Sequence, residues 1–239
     1  MPHHAFRFHD ADLRARADGA LFWPEEAALI VADLHLGKAE RLARRGGALL
    51  PPYGEVETLD RLAASLAATR ARRVIVLGDA FDDAAAVTGL PATQRDRLAA
   101  LAAGRDWLWI AGNHDAGAAF ASAGLPGRAA DETVLRGIAL RHVAADGPDI
   151  SGHFHPAVRF MGARLPAFLI GARHLILPAF GRFTGGLDAT DPALATRIGR
   201  GLAVLTGART VVLPWPLPDT RHRASARRNG ARARPAPGG

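Results

Sequence analysis

Cysteine is absent from the 239-residue chain, which excludes a disulfide scaffold, a thiolate metal site and a cysteine nucleophile together. Any metal must then be held by His, Asp, Glu, Asn or backbone oxygen. Lysine is almost absent as well: of the 30 basic residues, only Lys38 is not arginine. No apolar run approaches the ~18 residues that a membrane span needs. The opening segment MPHHAFRFHDADLRAR is too charged to hold a signal-peptide hydrophobic region. These absences predict a soluble cytoplasmic protein that does not use a membrane. The length suits one α/β domain, large enough to bury roughly 70–75% of its unfolded surface without staples.

The formal charge of +7 is unevenly placed. Residues 219–239 hold six arginines (221, 223, 227, 228, 232 and 234) and one acid, so they carry +5 and leave +2 for residues 1–218. That tail has no hydrophobic period and ends RARPAPGG, so it cannot bury enough surface to order itself. The chain is therefore expected to divide into a folded unit over 1–218 and an arginine-rich disordered tail over 219–239, a candidate tether to nucleic acid or a partner.

Short apolar runs recur at 28–32, 74–77, 108–111, 138–140, 168–170, 175–177, 202–205 and 210–213, each ending in a polar cluster. Runs this short suit buried strands. Helical period appears at 55–69, with Leu59, Leu62 and Leu66 on one face, and at 91–103, which proline opens. Strands and helices alternate in the first half, which predicts an α/β sheet. Strands crowd together after Gly104, which predicts a more antiparallel second half. Trp107 and Trp109 read as core packing, and His3, His4 and His9 as part of a flexible solvated segment.

The polar clusters carry the chemistry. In order they are Asp33-Leu34-His35; Gly78-Asp79 with Asp82 or Asp83 close behind; Gly112-Asn113-His114-Asp115; His142; and Gly152-His153-Phe154-His155. Singly they are ordinary: an Asp before a helix is a cap, and Gly-Asp is a common turn. Together they sit at predicted strand ends, which in an α/β sheet open onto one crevice. Several carboxylates, an amide oxygen and imidazoles converging there suit two divalent ions such as manganese, iron or zinc. Alternation along a strand would put Asp33 with His35, and His153 with His155, on shared faces. Asp79 could bridge two ions about 3.5–4 Å apart, and Gly78, Gly112 and Gly152 would allow tight turns beneath the ligands.

This ordered set resembles the calcineurin-like metallophosphoesterase superfamily. The resemblance implies a four-layer αββα sandwich of two mixed sheets flanked by helices, occupying residues 1–218. It implies one metal on Asp33, His35 and His155, a second on Asn113, His142 and His153, and Asp79 between them. His114 would contact the phosphate and protonate or stabilise the leaving oxygen, with Asp115 orienting it. Further stretches, DLHLGK from Asp33, LLPPYG and LPAFGRFTGG, resemble the ligase-associated DNA damage response endonuclease (PdeM) family. That likeness implies metal-dependent hydrolysis of phosphodiesters, with DNA as the expected substrate and ligase or helicase partners in DNA repair; two divalent ions, manganese ahead of iron or zinc, would activate a hydroxide for attack on phosphorus. Lys38, Arg41, Arg44 and Arg45 follow the first motif and could track a nucleic-acid backbone. A phosphomonoesterase or a cyclic-nucleotide phosphodiesterase would use the same centre. A non-catalytic binding module would be expected to have lost ligands that are all present here.

Overall fold

The computed structural model describes residues 2–47, 50–51, 53–113 and 124–217. The first sheet opens with an antiparallel meander of β1 (His3–Phe8), β2 (Ala11–Arg16), β3 (Leu21–Trp23) and β4 (Ala28–Val31). It continues in parallel through β5 (Arg73–Leu77), β6 (Asp106–Ile110) and β7 (Arg128–Ala130). The helices α1 (Lys38–Arg44), α2 (Gly54–Thr69), α3 (Ala84–Gly89) and α4 (Ala92–Ala102) lie in the crossovers between β4 and β6. The second sheet runs β15 (Val211–Trp215), β14 (Gly201–Leu205), β12 (Ala163–Ile170), β13 (His174–Ile176), β10 (Asp149–Ser151), β9 (Ile138–Arg141), β8 (Glu132–Leu135), with β11 (Ala157–Phe160) pairing on β12. Its pairs are antiparallel except that β10 lies parallel to both β9 and β13. A last helix, α5 (Pro192–Ile198), precedes β14.

Strand alternation makes the layers. Leu29 and Val31, Val74 and Val76, and Trp107 and Trp109 face α2 and α4, packing on Leu59, Leu62, Leu66 and Leu98. Their neighbours Ile30, Ile75, Leu77, Leu108 and Ile110 face the second sheet and meet Leu140, Ile150, Phe168 and Leu175. The far side of that sheet, including Leu169, Ile176 and Leu205, is covered by Leu194 and Ile198 of α5 and by Trp215. The result is the four-layer sandwich, with the tryptophan pair in the core as expected.

Two expectations need correction. His3 and His4 do not lie in a flexible segment: they register against Arg16 and Ala15 in β1–β2, and His9 occupies the turn between those strands. Alternating exposure along β1 had hidden it, because only Phe8 of that strand is buried. Pro91 sits at the cap of α4 rather than inside it. The arginine-rich tail, residues 219–239, lies outside the described residues.

The strands end level with one another. Val31 pairs with Val76 and Leu77 with Ile110, so β4, β5 and β6 deliver their following loops to one edge. The ends of β9, β10 and β13 in the facing sheet lead to His142, to Gly152 and to residues 178–186, and these loops meet the first set.

Candidate metal centre

At this edge the backbone abandons the extended conformation while staying bonded. Amide to carbonyl bonds join Asp33 to Gly78 at 3.2 Å, His35 to Asp79 at 2.9 Å and Leu36 to Ala80 at 3.0 Å. From the other sheet Gly152 bonds to the His142 carbonyl at 3.0 Å, and Phe180 and Gly181 reach the carbonyls of Ala32 and Asp33. Within this lattice Asp33, His35, Asp79, His153 and His155 all have positive φ, between 44° and 68°. Such conformations cost about 1–2 kcal/mol each for residues with a Cβ and persist where surrounding bonds over-determine them. Asp33 and His35 therefore converge through left-handed turns, not through strand alternation.

Close approach of backbone explains the glycines beneath. A Cβ at Gly78 would stand 2.2 Å from Nδ1 of His142, one at Gly112 2.1 Å from the Asp79 amide, and one at Gly152 2.5 Å from Oδ2 of Asp33. Only Gly78 of these three also has a positive φ, +73°. The LPAFGRFTGG stretch behaves alike, since Cβ atoms at Gly181 and Gly186 would strike the carbonyls of Leu34 and His155.

Two side-chain groups result. Asp33, His35 and His155 form one, and Asp79, His142 and His153 the other; within each, ligand-type atoms lie within 4.8 Å of one another. In the first, Nε2 of His155 is 3.2 Å from Oδ1 of Asp33 and 3.4 Å from Nε2 of His35. In the second, Nε2 of His142 is 3.4 Å from Oδ2 of Asp79 and 3.1 Å from Nδ1 of His153. The groups abut, for Nδ1 of His142 stands 3.7 Å from Asp33 and the His153 amide donates to both Asp33 oxygens. His153 and His155, expected on one face, are thus divided between the two groups.

The hydrogen bonds around the imidazoles test whether this donor set suits metal. His35 donates from Nδ1 to Asp82 at 2.8 Å, His142 from Nδ1 to the Leu77 carbonyl at 3.0 Å, and His155 from Nδ1 to the Gly185 carbonyl at 3.2 Å. Each bond commits Nδ1 as the donor and turns Nε2 inward, the arrangement that orients metal-binding histidines. The residues fit two divalent cations. Buried carboxylates and imidazoles also perturb one another. Burial disfavours a charged His142, but the bond to Asp79 and the charges of Asp33 and Asp79 outweigh it and raise its pKa. His153 moves down, through burial and the proximity of His142.

Asp82, not Asp83, supports the centre. It is buried, accepts from His35 and forms an ion pair with Arg41. Burial pushes its pKa up, and the bonds from His35 and Arg41 more than reverse this. Asp83 instead caps α3 through the Ala86 amide at 2.8 Å and pairs with Arg44 at 2.9 Å. Arg41 is therefore engaged behind His35, whereas Lys38 lines a cleft with His35, Glu55 and Phe183. Arg45 is exposed just past α1. Asn113 is exposed and follows Gly112, whose backbone touches Asp79; His114 and Asp115 lie outside the described residues. Sequence reasoning had no access to the Leu77 and Gly185 carbonyls, although the Gly-rich end of LPAFGRFTGG marked the second loop.

Comparison with known proteins agrees with this geometry. The chain shares 33% identity with a nuclease of Pseudomonas putida, MPE, over 89% of its own length and 99% of that chain, with a TM-score of 0.70. Yfce, a phosphoesterase from E. coli, is 15% identical over 76% of this chain and 88% of its own, and its TM-score of 0.38 is too low to weigh. No curated protein matches significantly in sequence. The calcineurin-like phosphoesterase family model matches residues 28–157, the stretch holding both Asp/His groups, and with that match the chain belongs to the calcineurin-like phosphoesterases.

Proposed function

We propose that the protein is a dinuclear metal-dependent phosphodiesterase that cleaves DNA. The observation that carries this reading is the pair of abutting Asp/His groups with three of four imidazoles committed as Nδ1 donors. The likeness to a nuclease over nearly the whole chain supports nucleic acid as the substrate class. When bound, two cations supply Lewis acidity toward the phosphoryl oxygens and acidify the attacking water; manganese is the first choice, ahead of iron or zinc.

The chain's own residues then hold and orient. Asp33, His35 and His155 would hold one cation, Asn113, His142 and His153 the other, and Asp79 would be shared. Asp82, clamped by Arg41, holds the Nδ1 proton of His35 so that the Nε2 lone pair would face a cation. Lys38 offers its ammonium to the phosphate beside His35, and Arg45 extends that basic surface. His114, oriented by Asp115, supplies a proton to the departing ester oxygen. A place in DNA repair, with ligase or helicase partners, is what the PdeM resemblance implies.

Hydrolysis of bis(p-nitrophenyl) phosphate against p-nitrophenyl phosphate, with manganese and with circular single-stranded and supercoiled DNA in parallel, tests the reading. Diester turnover with nicking is expected, and its loss in His114→Ala without loss of bound metal. Turnover of the monoester alone would assign the centre to a phosphatase.

A further inference from the structure

Beside the metal centre lies a cavity of about 570 Å³ that the hydrolytic reading leaves without a task. Two arginines line it. Arg61 projects from α2, its guanidinium carbon 4.4 Å above the ring of the buried Phe180. Arg182 comes from the loop after β13, with its guanidinium carbon 5.6 Å from the ring centre of Phe183. Stacking on an aromatic face fixes the plane of a guanidinium and leaves its N–H edge for a ligand.

Among the described residues Arg182 pairs with Glu57, whereas Arg61 has no ion pair of its own. Burial and the charge of Arg182 lower the pKa of Arg61. Nε of Arg61 is buried with no hydrogen-bond partner among the described residues. The acid facing Arg61 across the cavity, Asp18, already receives Arg16 at 2.8 Å, the Ser65 hydroxyl at 2.6 Å and the Ala20 amide at 3.1 Å. Glu57 bonds Nε of Arg182 at 2.6 Å, on a guanidinium whose side chain is 50% exposed. Two neighbouring guanidinium groups lining one cavity favour an anion there, and a phosphate suits it because its oxygens accept from the outer N–H groups of two forks at once.

Position ties the cavity to the reaction. It shares Pro166, Ala179 and Thr184 with a smaller cleft that reaches His155, Arg164 and Gly185. It shares Arg182 and Phe183 with the cleft of His35 and Lys38. The cavity therefore adjoins both clefts that reach the metal centre, within the reach of a neighbouring phosphodiester of a bound strand.

We infer that Arg61 and Arg182 form a second phosphate subsite, which holds a phosphodiester of the substrate strand away from the one being cut. The inference rests on the nucleic-acid reading above and sharpens it: the enzyme grips a polyanion at two points, so a lone diester uses only one.

The test compares wild type, Arg61→Gln, Arg182→Gln and the double variant on a labelled oligodeoxynucleotide and on bis(p-nitrophenyl) phosphate, with manganese. Each single change is expected to lower kcat/KM for the oligonucleotide by about tenfold or more, the scale of one charge-assisted bond, and to leave the small diester unchanged. The salt dependence of oligonucleotide KM should flatten by about 0.7 in log–log slope for each arginine–phosphate pair removed. Equal losses on both substrates, or no loss on either, would overturn the subsite. Should Arg61→Gln fail to fold because its stem packs on Phe180, the exposed Arg182→Gln and the charge-keeping Arg61→Lys carry the test. Wild type that hydrolyses the small diester but no oligonucleotide would overturn the nuclease reading itself, and the subsite with it.

Discussion

The two Asp/His groups are built from the same residue types but braced differently. The group of Asp33, His35 and His155 adds a side-chain relay to its main-chain contacts: His35 leans on Asp82 and Asp82 on Arg41, while His155 leans on the Gly185 carbonyl and Asp33 on the His153 amide. The group of Asp79, His142 and His153 is held from beneath by main chain. There His142 bonds to the Leu77 carbonyl, and Gly78 and Gly112 let backbone press against the ligands themselves. A centre braced by side chains can be weakened by degrees, through residues that never touch substrate. One seated on backbone should tolerate little short of replacing the whole seat.

The sharpest break is Asp79→Asn. In the proposed reading this carboxylate of the second group is shared by both cations, so its loss should lower turnover by more than the 10–100-fold typical of a supporting residue, that is by more than about 100-fold. Both cations should be lost from the protein on dialysis, which elemental analysis would report; retention of two ions at full turnover would remove Asp79 from its bridging place. Next comes Gly78→Ala. Its φ of +73° and a Cβ only 2.2 Å from His142 force the seat apart, and the backbone conformation alone costs about 1–3 kcal/mol. Lower Tm and loss of the His142 cation should appear together, in thermal melts and manganese titration.

The first group should yield more gently. Asp82→Asn keeps an oxygen toward His35 but gives up the ion pair with Arg41, so affinity for one cation should fall by about 10–100-fold while the other holds. A manganese titration of that variant should therefore separate into two steps where wild type shows tighter, closer ones. If both steps weakened equally, the two groups would share one support and the contrast between them would fail.

How far this contrast was visible in the sequence differs between its halves. Most of the ligands stood out, because Asp33, His35, Asp79 and His142 each follow an apolar run that does form a strand, whereas His153 and His155 follow the short β10, Asp149-Ile150-Ser151, and were marked by their own Gly-His-Phe-His pattern. The division of His153 from His155 did not follow from spacing: period-2 reasoning put them together, and left-handed backbone at both residues parts them. Asp82 and Asp83 are adjacent and chemically identical, so only the fold could show that one faces His35 and the other caps α3. Strand β1 stayed hidden for the opposite reason. It lies at the sheet edge with mostly exposed or half-buried side chains, so it lacks the apolar run that betrays β4, β5 and β6. Main-chain acceptors such as Leu77 carry no residue signature at all.

The smallest effect concerns a carboxylate on the flank of the first group. Glu55 accepts a hydrogen bond from the Gly37 amide, two residues beyond His35, and lines the same cleft as Lys38. Burial, and then the charge of Glu40, raise its pKa from 4.5 to about 7, against the lowering pull of the Gly37 amide. The folded protein thus holds this proton more tightly than the unfolded chain. Stability from it is complete below pH 4.5 and is lost as pH rises toward 7. Glu55→Gln keeps an oxygen for Gly37 and cannot ionise, so it should raise Tm at pH 8 by about 2–4 °C, the scale of 1 kcal/mol in a chain of this size. Near pH 4 the two melting curves should coincide. A gain that persisted unchanged at low pH would place its origin in packing, and the external bracing of the first group would then contain no titrating member at Glu55.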